Sequence, residues 1–185
     1  MSPVTHFLSG WVFANCFDLH RRDRAFITWA AVIPDIDGVG IVVELATRIS
    51  PHPAYWFSQY HHLLHNLWFA LVCSVLAFVF AHRKWLTASL VFVAFHLHLL
   101  CDLVGSRGPD GYGWPIPYLW PISKTFSLSW AGEWPLNSWQ NLLITVLLLV
   151  VSTWIIWAKH RSPIEPISTA TDRVVVDTLL KRMQS

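Results

Sequence analysis

The stretch "WLTASLVFVAFHLHLLCD", residues 85–102, indicates a helix that lies in lipid or in a deep core. It carries no formal charge from Trp85 to Cys101. As an α-helix this run rises about 25 Å, slightly less than the hydrocarbon thickness of a bilayer. The run nevertheless ends with two histidines and an aspartate. The polar end of this helix is therefore the first candidate for a functional site.

The composition of the chain also indicates a membrane protein. Of its 185 residues, 54% are hydrophobic and 13% are charged, which is about half the charged fraction of typical soluble domains. This apolar composition makes membrane lipid the expected partner. A net charge of +2 is too small to favour nucleic acid. Three cysteines lie in separate apolar segments without a CxxC pair, and we expect them to pack rather than to form disulfides or a zinc knuckle.

Four further apolar segments predict helices. Residues 139–158 would rise about 30 Å and residues 66–81 about 24 Å. The segments at 4–17 and 25–46 are also mainly apolar, and "PDIDG" interrupts the second. Such a break is tolerated at membrane depth where it lines a cavity or is buried in protein. The sequence therefore predicts an all-α, polytopic membrane bundle of about five helices.

A long loop and a polar tail complete the chain. Residues 102–138 are rich in Gly, Pro, Trp and Tyr, which favours an interfacial cap or a lid over a site, two compatible interpretations. Residues 171–183 could form a short amphipathic helix for a partner or the membrane surface. The N-terminus lacks the basic start of a signal peptide, so we expect an unprocessed chain.

Three basic segments set the expected orientation. They lie at residues 21–24, 82–84 and 159–161, and the predicted helices place all three on the same side, which the positive-inside rule makes cytoplasmic. We therefore expect a multi-pass protein of the bacterial inner membrane. It would have a membrane-embedded metal-site domain at 1–161 and a polar cytoplasmic tail at 162–185.

Two motifs have the spacing of metal ligands on a helix. His98 and Asp102 are four residues apart and share one helix face, and both imidazole nitrogens and carboxylate oxygens bind zinc. In "YHHLLHN", His65 can share a face with either His61 or His62. A capped helix end and an interfacial histidine patch are the alternative interpretations of these motifs.

Two carboxylates, Asp35 and Asp37, interrupt an apolar helix, where charge is costly and indicates function. The distance of each residue from its presumed cytoplasmic loop indicates whether these carboxylates and the histidines lie at the same depth. Counted from the presumed cytoplasmic loops, side chains from four segments reach one level, roughly 20–27 Å above the same plane. The five residues counted are His6, Asp37, His65, His98 and Asp102.

Such a cluster predicts a metal-dependent hydrolase. We expect one or two divalent ions, with zinc favoured, to lower the pKa of bound water, while Asp37 or Asp35 acts as the general base. Because the site would open at the membrane surface, the expected substrate is a phosphoester or acyl ester of a lipid-like or amphiphilic molecule. The candidate metal ligands are His6, His61 (or His62), His65, His98 and Asp102.

The order of these motifs resembles a known family. His6, "PDID", "HHLLHN", "HLLCD" and a "WPIS" turn resemble the bacterial YdjM/YbcI-like family of inner-membrane metal-dependent hydrolases over residues 1–125. The resemblance implies a helical membrane protein with a divalent-metal hydrolase site. The family's middle motif usually reads HRGxTHS, whereas "HHLLHN" has neither the arginine nor the glycine and is one residue shorter. The match to His61 or His62 therefore stays open.

More distantly, the order His, Asp, His, HxxxD is similar to the zinc-dependent phospholipase C fold. The second His/Glu cluster of those enzymes is not seen in this sequence, which favours one or two metal ions over three. That likeness implies His6, His65, His98 and Asp102 as metal ligands, and Asp37 or Asp35 as the general base.

Two other functions are compatible with the same residues. A b-type haem could use His65 and His98 as axial ligands, although haem needs no aspartate beside each histidine. A metal-ion transporter or a non-catalytic metal-binding scaffold would also place His and Asp in membrane helices, although nothing polar continues the path inward. The sequence does not predict an oligomeric state.

Overall fold

The computed structural model describes residues 1–57, 61–108 and 111–184, and the regular secondary structure in these ranges is helical apart from two isolated β-bridges. A 3₁₀-helix, Ile33–Val39, joins the second α-helix to the third. The α-helices are α1 (Pro3–Asn15), α2 (Arg21–Ala30), α3 (Gly40–Thr47), α4 (Leu67–Phe80), α5 (Lys84–Gly105), α6 (Trp139–Lys159) and α7 (Thr169–Gln184).

The predicted apolar segments correspond to α1, to the unit of α2 and α3, and to α4, α5 and α6. The described part of the chain has seven α-helices rather than about five, because the segment at 25–46 forms two helices and the tail adds α7. Helix α2 and the helical stretch Ile33–Thr47 meet at 51°. Pro34 lies just after this break, where its missing N–H and its ring disfavour a continuous helix.

The core lies between α1, α2, α4 and α5. Ala70, Ala77 and Ala94 are fully buried, and such small side chains allow helices to approach closely. Gly10 of α1 lies so near the end of α2 that a Cβ added to it would be 2.5 Å from the Cβ of Ala31. The sequence therefore specifies a tightly packed inner bundle.

Helices α5 and α6 are each long and apolar enough to cross a membrane, and the bent unit of α2 and α3 is a third candidate. Helix α6 exposes large apolar side chains along its length, among them Leu142, Val150 and Trp157. An apolar surface of this extent is unfavourable in water and suits contact with lipid.

The three basic segments lie at one end of the bundle, which we call the basic end. Asp23 of α2 accepts the backbone N–H groups of His82 and Arg83 at 2.8 and 3.0 Å. Arg24 forms a buried ion pair with Glu165. These contacts join the first two basic segments to the tail.

The third basic segment reaches the same end through α6. Lys159 donates a hydrogen bond to the backbone carbonyl of Asn15, at the end of α1. In the tail, the backbone N–H and hydroxyl of Ser162 both donate to Asp172 Oδ1 at 2.7 Å. The tail is therefore packed against the bundle, and its cytoplasmic location stays a prediction.

The loop between α5 and α6, here called the cap loop (residues 106–138), covers the opposite end. The Tyr118 hydroxyl lies 2.8 Å from His96 Nε2, and the Tyr118 carbonyl accepts the N–H of Leu67 at 2.9 Å. Trp134 Nε1 of the loop donates to Asn141 Oδ1 of α6 at 2.8 Å, and the Leu136 carbonyl accepts Asn141 Nδ2 at 2.8 Å. These bonds hold the cap loop against α4, α5 and α6. Its position at a membrane surface stays a prediction.

Candidate metal centre

Four segments bring seven His and Asp side chains together beneath the cap loop. Helical spacing places the pair in α5 on one face, and the 3₁₀-helix turns the carboxylates of the interrupted segment toward the same region. The seven are His6 in α1, Asp35 and Asp37 in the 3₁₀-helix, His61 and His65 in the turn before α4, and His98 and Asp102 in α5.

The first group consists of His6, Asp35, His98 and Asp102, whose ligand atoms all lie within 4.8 Å of one another. His6 Nε2 is 3.0 Å from Asp102 Oδ1, and His98 Nε2 is 2.9 Å from Asp102 Oδ2. Asp35 Oδ1 is 3.7 Å from His98 Nε2. The Met1 amino group also lies 2.5 Å from Asp102 Oδ1. The Asp102 carboxylate is thus in contact with donors from α1 and from its own helix.

The second group consists of Asp37, His61 and His65, and its ligand atoms meet the same 4.8 Å limit. Asp37 Oδ1 lies 2.7 Å from His61 Nδ1. Asp37 Oδ2 accepts the backbone N–H of Leu64 at 3.0 Å and lies 3.6 Å from His65 Nδ1. The turn before α4 is therefore fixed to the 3₁₀-helix by this carboxylate.

The His65 ring stands between the two groups. Its Nε2 is 3.2 Å from His98 Nε2 and 3.6 Å from Asp102 Oδ2. The same atom is 3.8 Å from Asp35 Oδ1, while Nδ1 on the other side of the ring faces Asp37. The two groups are consequently neighbours that share one imidazole.

Burial and missing hydrogen bonds indicate that the cluster suits a cation. His6, His65 and His98 have no exposed surface. Within the described residues, His6 Nδ1, His65 Nδ1 and Asp35 Oδ2 are buried without a hydrogen-bond partner. An unsatisfied buried polar atom costs about 1–3 kcal/mol. Imidazole and carboxylate donors of this kind bind divalent metals, so the residues present fit such an ion.

The electrostatics of His65 lead to the same conclusion. Burial lowers the pKa of its imidazole, but the neighbouring carboxylates of Asp102, Asp35 and Asp37 outweigh burial and raise the pKa to about 10. Three carboxylates thus stabilise positive charge on this ring when no metal is bound. The surroundings of His65 attract cations.

A backbone contact fixes the ring of His98. Its Nδ1 lies 2.9 Å from the carbonyl oxygen of Ala31. Since a carbonyl can only accept, Nδ1 carries the hydrogen, and in the neutral ring Nε2 presents a lone pair to the first group. This arrangement, in which the second ring nitrogen donates to a carbonyl, is typical of histidines that bind metal.

Aromatic side chains enclose His61. Its ring stacks between Phe57 and Trp114, each with a centroid distance of 4.5 Å. A Cβ added to Gly38 would lie 3.0 Å from His61 Cε1. The buried carboxylate of Glu133 accepts the backbone N–H of Trp114 at 3.2 Å. Tertiary contacts therefore hold His61 in place. In the sequence, only the aromatic composition of the cap loop indicated them.

Of the two alternatives in "HHLLHN", the structure brings His61 into the cluster, and His62 belongs to neither group. Asp35 lies with the first group and Asp37 with the second, although the sequence did not separate them. His96 takes no part in either group and instead binds Tyr118 of the cap loop. The roles of these side chains in catalysis stay predictions.

The family model described as YdjM inner membrane protein matches residues 1–172. The chain belongs to this family. The resemblance predicted from the motif order is thereby confirmed, and the membrane assignment is supported by both the YdjM family and the apolar helices. No curated protein and no solved structure matches the chain, so the similarity to zinc-dependent phospholipase C stays a prediction.

Proposed function

We propose that this YdjM-family protein is a multi-pass, membrane-bound, metal-dependent hydrolase that cleaves a phosphoester or acyl ester of an amphiphilic substrate. The observation that carries the proposal is the first group, in which two histidines and two aspartates from three segments converge within 4.8 Å. A mixed set of imidazole and carboxylate donors suits zinc, manganese or iron. Such a set in an apolar bundle is costly without a function.

His6, His98 and Asp102 would hold the ion, with Asp35 facing it. A bound divalent ion lowers the pKa of water and polarises a phosphoryl or acyl oxygen. The chain's own contribution is orientation, because Ala31 fixes His98 and Asp102 is in contact with both histidines.

Of the two candidate bases, the surroundings favour Asp35. Asp37 already uses Oδ1 for His61 and Oδ2 for the N–H of Leu64. Asp35 Oδ2 has no hydrogen-bond partner among the described residues, and the Asp35 side chain is 14% exposed against 7% for Asp37. We therefore assign proton acceptance to Asp35 Oδ2.

An amphiphilic substrate suits the surroundings of the cluster. Helix α3, which follows the 3₁₀-helix directly, exposes Ile41, Val42 and Leu45. On the other side, Trp114 of the cap loop stacks on His61. An apolar surface beside buried polar groups favours a molecule with an acyl chain and a polar head, and membrane lipid is the nearest source.

The geometry argues against a haem protein. His65 Nε2 and His98 Nε2 are 3.2 Å apart, and Asp102 Oδ2 lies 3.6 Å and 2.9 Å from these two atoms. A flat macrocycle does not fit between two rings that already meet through a carboxylate.

Transport is also disfavoured. Between the metal cluster and the basic end, the buried apolar side chains of Trp11, Phe95 and Val91 fill the bundle. An ion path would require charged groups or water along this stretch, whereas the buried Thr28 hydroxyl is used within α2, where it donates to the carbonyl of Arg24. Flux of a radioactive metal ion into proteoliposomes would support the transporter over the hydrolase.

Metal content is the first test of the proposal. We expect near-stoichiometric divalent metal in the purified wild type by elemental mass spectrometry, and loss of that metal in His98→Ala and Asp102→Ala in the same detergent. His62→Ala is the matched control, since it removes a histidine outside both groups. Equal, low metal in all four proteins would contradict the proposal. A metal-loaded wild type would then be screened for hydrolysis, beginning with lipid phosphates.

A further inference from the structure

The proposed hydrolytic ion leaves the second group unused. We propose that Asp37, His61 and His65 hold a second divalent cation beside the first, and that the resulting two-ion centre takes a phosphoester rather than an acyl ester. This inference rests on the proposed function and deepens it. It is based on the second group, in which three ligand atoms lie within 4.8 Å of one another beside the first group.

The orientation of His65 is the first argument. Nε2 faces the first group, 3.2 Å from His98 Nε2, whereas Nδ1 faces the second, 3.6 Å from Asp37 Oδ2. The ring is fully buried, and Nδ1 has no hydrogen-bond partner in the described part of the chain. An imidazole nitrogen left unsatisfied and directed at a carboxylate and a second histidine has the surroundings of a metal ligand.

The other two ligands of the second group are held in place before any ion arrives. The Leu64 N–H fixes Asp37, and the stacked rings of Phe57 and Trp114 fix His61. Gly38 leaves just enough room for the His61 ring. Ligands that are already oriented bind a metal without a further ordering cost.

The solvent exposure of the side chains differs between the two proposed ion sites. The side chain of His61 is 16% exposed, whereas those of His6 and His98 are not exposed at all. The second site is therefore reached from the surface through His61, whereas Asp35, at 14% exposure, is the accessible side chain of the first group.

Charge then selects the substrate class. The two groups together carry three carboxylates, on Asp35, Asp37 and Asp102, and histidines that bind metal are neutral. Counting these side chains alone, one divalent ion leaves the centre net negative and two ions leave it net positive. A net positive centre attracts the anionic oxygens of a phosphoester, and paired ions are typical of enzymes that act on such esters.

The number of bound ions tests the assignment directly. We would load the full chain in detergent with Zn²⁺, remove loosely bound ions and count the remainder by elemental mass spectrometry. Wild type and His62→Ala are expected to hold two equivalents, and His61→Ala and Asp37→Asn one equivalent. His98→Ala would lose the tightly held ion of the first group.

The outcomes separate this inference from the proposed function. A wild type that saturates at one equivalent and still hydrolyses esters would overturn the second site and leave the function standing. No bound metal and no hydrolysis would overturn the function itself. Two equivalents retained in both His61→Ala and Asp37→Asn would overturn the choice of ligands.

A measurement on the wild type alone guards against variants that do not fold. Mn²⁺ would be added to metal-free protein, and its electron paramagnetic resonance signal followed per equivalent. Two neighbouring ions couple their spins, so the signal per bound ion is expected to weaken as the second equivalent binds. A signal that grows in proportion through two equivalents would place the ions far apart and overturn the adjacent site.

The substrate class is tested with two short-chain lipids that differ in the bond cleaved. The two-equivalent protein is expected to release inorganic phosphate from dihexanoyl phosphatidic acid and to leave the acyl esters of dihexanoyl glycerol intact. Faster release of hexanoate from either lipid would overturn the phosphoester assignment.

Discussion

His96 and His98 stand two residues apart in α5 and serve different purposes. His98 faces α1 and the turn before α4, where its ring contacts those of His6 and His65. His96 points to the cap loop, where its Nε2 meets the Tyr118 hydroxyl. One polar helix end thus supplies both a candidate metal ligand and the anchor of the structure that covers it.

Gly38 is a position where one added methyl group should disturb the metal cluster. A Cβ at Gly38 would lie 3.0 Å from His61 Cε1, and the ring cannot slide away because Phe57 and Trp114 hold both of its faces. We expect Gly38→Ala to move His61 off Asp37, to lose the second ion and to cost about 1–3 kcal/mol in stability.

Metal counting and thermal unfolding would check this prediction. The control is Val39→Ala, which changes the next residue along the chain, a residue with 65% exposure. Full metal content in Gly38→Ala would show that the contact between His61 and Asp37 does not depend on this spacing.

Protonation of His65 gives a pH dependence with a definite sign. Because the pKa is raised from 6.5 to about 10 in the metal-free protein, a divalent ion bound at this ring at neutral pH must displace a proton. Metal affinity should therefore rise with pH up to about 10, by about tenfold per unit for one proton. Calorimetric titrations in buffers of different ionisation heat would count the released protons, and the absence of any release would contradict the prediction.

The same shift affects the stability of the metal-free fold in the opposite direction. Since the folded pKa of His65 lies above its ordinary value of 6.5, protonation stabilises the fold fully below about pH 6.5. This stabilisation is lost as the pH rises toward 10. Raising the pH therefore strengthens metal binding while it removes a support of the empty site.

The cap loop depends on a few polar contacts with the helices. Tyr118 bridges two of them, through its hydroxyl to α5 and through its carbonyl to the start of α4. We expect Tyr118→Phe to retain bound metal but to cost about 0.5–1.5 kcal/mol in stability, because one hydrogen bond is lost. We also expect faster hydrogen exchange across residues 116–128. Tyr55→Phe, at an exposed tyrosine, is the control, and unchanged exchange in the loop would contradict the prediction.

The elements also show what the sequence could predict. The spacing of His98 and Asp102 predicted a shared face, and "PDIDG" predicted the interruption of a helix, because both follow from local geometry. The choice of His61 over His62 and the stacking of Trp114 depend on contacts between distant segments, which spacing alone does not fix. Asp35 and Asp37 were inseparable in sequence because only the tertiary fold assigns them to different groups.

The two ends of the bundle have opposite character. One end joins the three basic segments and the tail through Asp23, Lys159 and the ion pair of Arg24 with Glu165. The other carries the His and Asp cluster beneath an aromatic loop. This polarity is what the positive-inside rule requires if the basic end is cytoplasmic and the metal cluster faces the outer side.

Cysteine labelling in cells tests that orientation, and the chain offers a natural probe. Cys16 is exposed, contrary to the packing role expected from sequence, while Cys73 is buried; Cys16 lies beside Asn15, at the basic end. A membrane-impermeant maleimide should label Cys16 in bacterial spheroplasts only after the membrane is permeabilised. Ile122→Cys, at a cap-loop position with 76% exposure, should be labelled while the spheroplasts are intact. Labelling of Cys16 in intact spheroplasts would reverse the topology and place the metal cluster on the cytoplasmic side.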